Sequence, residues 1–63
     1  MSFILHWQTT SDPSDQSTAH ASLADAFTAE AAKAVVIVME TWFKLWIEDG
    51  VVTYHQTEKT GAG

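Results

Sequence analysis

Apolar and polar positions divide the 63-residue chain into zones of different period. In residues 2–9, Phe3, Leu5 and Trp7 alternate with Ile4, His6 and Gln8, so one face is wholly apolar. A period of two reads as a strand. Residues 9–18 (TTSDPSDQST) are polar and contain Pro13, which cannot sit inside a central strand, so they read as a loop. Residues 19–33 are alanine-rich and helical by propensity. Residues 51–57 (VVTYHQT) read as another strand, and 58–63 (EKTGAG) as a polar tail expected to be disordered. One small domain over residues 1–57 follows.

Where the helix starts and stops decides the architecture. Asp12 before Pro13, Ser17 and Ser22 are competing cap candidates. Ser22 has Asp25 three residues on, a weaker relative of the capping box. The stop is ambiguous, because no Gly or Pro lies between Ala19 and Asp49. The preferred reading is one long helix to about Glu48. Leu23, Phe27, Ala31, Ala34, Val38, Trp42, Leu45 and Trp46 then follow helical spacing. Glu30, Lys33, Glu40, Lys44 and Glu48 fall within an arc of about 80° and pair opposite charges. Gly50 would close that helix as its left-handed C′ residue.

The alternative ends the helix near Met39 and turns 41–48 into a strand, since Val35–Val38 are all β-branched. Asp49-Gly50 becomes a hairpin turn. Phe43, Leu45 and Ile47 then line one face, with Lys44, Trp46 and Glu48 on the other. Both readings are α+β. The first is a short strand, a polar loop, one long helix and a C-terminal strand; the second is a strand, a helix and a hairpin.

Size sharpens the problem. For 63 residues, apolar burial of roughly 90 kcal/mol is matched by a similar ordering cost. With no cysteine, disulfides and thiolate metal sites are excluded. A long helix would also leave Val36, Phe43 and Ile47 outside the cover of two short strands. Association with another copy or another protein is therefore expected.

Charge narrows the partners. Eight acids face three lysines, Lys33, Lys44 and Lys59, for a net charge of −5, and arginine is absent. Such a chain lacks the basic patch that neutralises phosphates, so direct nucleic-acid binding is excluded. A membrane-spanning helix over roughly residues 19–48 is the competing class. It would place Glu40 near mid-depth, at about 2.5–3.5 kcal/mol. Residues 1–10 have no basic segment and too short an apolar run for a secretory signal, which makes a cytoplasmic setting the expectation.

Candidate chemistry is sparse. No G-x-S-x-G, P-loop or G-x-G-x-x-G occurs; the glycines are Gly50, Gly61 and Gly63. His6, His20 and His55 lack the spacing of a zinc site, so no metal and no cofactor are expected. A pH switch would need His6 and His55 to become neighbours. Three tryptophans are many for so short a chain; they read as core filling, Trp7 above all, or, because Trp anchors interfaces, as contacts at Trp42 and Trp46. The reading is a small, acidic, non-enzymatic protein–protein interaction module, an inhibitor or assembly factor, that self-associates. Its contact residues are expected to be Trp42, Phe43, Trp46 and Ile47, with Glu40 and Glu48 at the rim. Residues 3–8 and 51–57 are the expected free strand edges.

Overall fold

A computed structural model describes residues 2–60 and shows an α+β architecture. The elements are β1 (Phe3–Thr9), β2 (Gln16–His20), α1 (Leu23–Ile37), β3 (Phe43–Glu48) and β4 (Thr53–Lys59). All pairings are antiparallel, and the sheet order is β2-β1-β3-β4. Helix α1 carries the chain across one face of β1, from β2 to β3.

The alternation in β1 and β3 builds the core. Leu5 pairs with Ile47 and Trp7 with Leu45, so both apolar faces point to the helix. Leu5, Leu45 and Ile47 are almost wholly buried, with Ala26 of α1, Ile37 and Phe43 around them. Ala26 has no exposed surface, and its small side chain lets the helix approach the sheet closely. Ile4, His6, Gln8, Lys44, Trp46 and Glu48 point to the opposite, open face.

The helix starts where its cap is legible. Ser22 has extended backbone, and its Oγ accepts the Asp25 N–H at 3.1 Å. The long helix does not form: α1 ends at Ile37 and residues 43–48 are strand. Four consecutive β-branched residues weaken the helix there, and tertiary bonds replace the missing glycine. Glu40 N–H turns back to the Ile37 carbonyl at 2.9 Å. The Glu40 carboxylate accepts the Ser11 N–H at 2.9 Å. Thr10 N–H donates to the Trp42 carbonyl at 3.0 Å, while Thr10 Oγ1 accepts the Trp42 N–H at 2.7 Å. The β1–β2 loop thus holds the α1–β3 connection out of helical geometry.

Further expectations change with that boundary. Residues 16–20, read as loop and helix start, form edge strand β2. Their sequence QSTAH has no apolar alternation, because Ser17, Thr18 and Ala19 are exposed. Strand β1 lies inside the sheet, so residues 3–8 are not a free edge. The hairpin turn spans Asp49 to Val52 rather than two residues, with Glu48 opposite Thr53. Gly50 takes φ +96 within it, a conformation that suits glycine. Strand β4 runs on to Lys59, so Glu58 and Lys59 belong to the folded unit. Residues 61–63 of the expected tail lie outside the described residues.

Helix α1 has 15 residues, and among the described residues no helix is long and apolar enough to cross a membrane. The spanning segment expected over residues 19–48 is instead divided between β2, α1 and β3.

Candidate interaction surface

The residues expected to form one contact patch are dispersed. Phe43 and Ile47 are 7% and 0% exposed and pack under this chain's own helix. They are core residues, because positions 43, 45 and 47 alternate inward on a strand. Val36, grouped with them as needing cover, stays 72% exposed. Trp42 is half-buried in the α1–β3 connection, where its backbone bonds Thr10. Glu40 is tied to Ser11, and that N–H bond is the main cause holding its carboxyl below the ordinary range.

Trp46 and Glu48 do meet, around His6 on the open face. The His6 ring stacks on Trp46 with centroids 4.8 Å apart and planes 5° from parallel. His6 Nδ1 lies 3.1 Å from Asp15 Oδ1, and Nε2 lies 2.7 Å from Glu48 Oε2. Glu48 also accepts the Gly50 N–H at 2.6 Å. Lys44 Nζ lies 5.1 Å from the Trp46 ring centre. With both ring nitrogens occupied, this cluster clamps the β2 approach and β3 onto β1.

His55 is on the other face, since it pairs with Ile47 whereas His6 pairs with Trp46. The sheet therefore separates the two histidines, and the proposed switch between them has no geometry to work through. His55 Nδ1 lies 2.7 Å from Glu30 Oε2, and the Phe27 ring is 5.4 Å from the imidazole. Glu30, expected on a solvated charged arc, is 7% exposed and satisfied by this bond. Expected pairing of Glu30 with Lys33, and of Lys44 with Glu40 and Glu48, is absent: among the described residues the ion pairs involve only histidines. No group of three or more His, Asp or Glu among the described residues could hold a metal ion.

On the β2 side the gap between helix and sheet is open. A groove of about 330 Å³ has Leu5 and Trp7 as its floor and Thr18 and His20 as one wall. Ala29, Ala32, Lys33 and Val36 of α1 form the other. Its only side chain carrying a fixed charge is Lys33, whose Nζ lies 4.3 Å over the centre of the Trp7 ring. Thr18 Oγ1 and His20 Nε2 lie 2.8 Å apart, so the polar groups of the wall satisfy each other. Val35 and Met39, close to Val36 in the sequence, are 77% and 89% exposed. Lys33, Trp7 and Thr18 were not expected at a shared surface, because the groove exists only once β2 is recognised as a strand.

At the far end, Asp49 organises the hairpin turn. Its carboxylate accepts the Tyr54 hydroxyl at 2.5 Å and the Val51 and Val52 N–H groups at 2.9 Å. These bonds, Tyr54 first, lower the Asp49 pKa, and the same contact with Asp49 raises that of Tyr54.

No family model matches this chain, and neither curated proteins nor solved structures gave a significant match to it.

Proposed function

We propose that the chain is a small, non-enzymatic protein–protein interaction module, acting as an inhibitor or assembly factor, that holds its partner in the groove between α1 and β2. The carrying observation is the groove itself: an apolar floor and wall beside a sheet edge, in a chain whose remaining core is closed. Exposed Val36 at its lip suits a contact residue better than the buried Phe43 and Ile47 do. Self-association is expected where Val36, Phe43 and Ile47 all lack cover. One chain covers Phe43 and Ile47, so only Val36 still calls for an occupant, and we assign that place to a different protein.

Affinity capture with three baits tests this reading. The wild-type chain and a Val51→Asp control, altered in the exposed hairpin turn, should retain the same binding protein. Val36→Asp should lose it. Equal capture by all three baits, or none by any, contradicts the reading.

A further inference from the structure

We infer that the groove receives an extended segment of another protein, added as a fifth strand beside β2, with an apolar side chain and an acidic side chain on the face turned toward α1. This rests on the interaction reading above and specifies its partner chemistry.

Three observations converge on that occupant. First, β2 is the outermost strand on its side, so among the described residues its outward backbone groups have no partner strand. Residues 16–20 contain no proline, no Lys and no acid, the devices that usually blunt an edge. Second, a strand laid along β2 sends every second side chain, about 6.8 Å apart, to the helix side. There the groove presents Val36, Ala32 and the Trp7 ring. Third, the charge is complementary to an acid. Lys33 lines the groove and, among the described residues, has no carboxylate within 4.0 Å. No Asp or Glu lines the groove, although the chain has eight acids. An acidic side chain two residues from an apolar one would meet Lys33 while its neighbour fills the space beside Val36.

A second copy of this chain fits less well. Strand β2 has no acid to offer Lys33, and β4 brings Lys59 with Glu58. The added strand is limited to about five residues by the length of β2. Its interface stays below the roughly 1,200 Å² of stable complexes, which fits a transient contact.

Nitrogen-15 NMR titration of the whole chain tests the inference. The probe is a blocked seven-residue peptide alternating Val and Thr, with one Val replaced by Glu. Controls carry Lys in place of Glu, or N-methyl groups on alternate amides. Amide shifts should concentrate at residues 16–20 and around Lys33 and Val36. The Glu peptide should bind about five-fold more tightly than the Lys peptide, and Lys33→Glu should reverse that order. The N-methylated peptide should not bind, since it cannot complete the ladder. Shifts at β4 or the open face, no preference for Glu, or no binding of any peptide would overturn the inference. Shifts at residues 16–20 that grow with protein concentration alone would overturn it in favour of a second copy. Capture that stays sensitive to Val36→Asp while the peptides fail would refute strand addition and leave the interaction reading standing.

Discussion

The two edges of one sheet are finished in opposite ways. At β4, Glu30 reaches from the helix to His55, and Phe27 packs against the same ring, so the gap under that side of α1 is filled. A register irregularity at Ile47/Glu48 and the charges of Glu58 and Lys59 further disfavour another strand there. At β2, among the described residues, no side-chain hydrogen bond or ion pair joins the helix to the strand, and Ala29 and Ala32 are too short to fill the gap. What differs is side-chain reach. One glutamate facing a histidine closes one side, and two alanines facing threonine and histidine leave the other open.

Substitutions separate what both edges share from what distinguishes them. The largest effect is expected in the common core: Leu45→Ala should cost about 3 kcal/mol in urea unfolding and loosen both sides together. Glu30→Ala should cost about 1–2 kcal/mol, because it removes a buried partner of His55. Hydrogen exchange should then quicken in β4 and stay unchanged in β2. Equal quickening in both strands would show that the Glu30–His55 contact does not close one side selectively. Ser22→Ala should cost about 1 kcal/mol through the lost cap, seen as a lower midpoint with unchanged slope.

The smallest effects are electrostatic and sit where the β3–β4 turn enters β4. Asp49 has a lowered pKa in the folded chain, so its contribution is present above the unfolded carboxylate value and is lost as pH falls through the folded one. Tyr54 has a raised pKa, so its contribution is present below about pH 10 and is lost as pH rises through the folded value. Tyr54→Phe should flatten both limbs of a stability–pH profile. A profile unchanged by that substitution would argue against the Asp49–Tyr54 contact.

The two central strands and the helix start were more legible in the sequence than either edge of the sheet. Alternation at Phe3, Leu5 and Trp7 identified β1, and Phe43, Leu45 and Ile47 carried the same signal within the less favoured reading. Ser22 with Asp25 marked the helix start. The helix end was hidden because the bonds that set it join Ser11 to Glu40 and Thr10 to Trp42, residues about thirty positions apart. Charge spacing misled for a related reason: Glu30 fits a solvated arc by period, yet His55 draws it inward. Strand β2 was illegible because an edge strand of Gln, Ser, Thr, Ala and His buries little and shows no period. Without β2 there was no groove to see, and Lys33 looked like one more surface charge.

The claim beneath the comparison is that one chain closes its own core and leaves Val36 uncovered. Urea unfolding of Val36→Asp beside Ile47→Asp tests it directly. Val36→Asp is expected to stay within about 1 kcal/mol of wild type, as for a surface position, while Ile47→Asp leaves no folded baseline. Comparable losses in both variants would contradict the claim, because they would mean that Val36 is covered in the native protein.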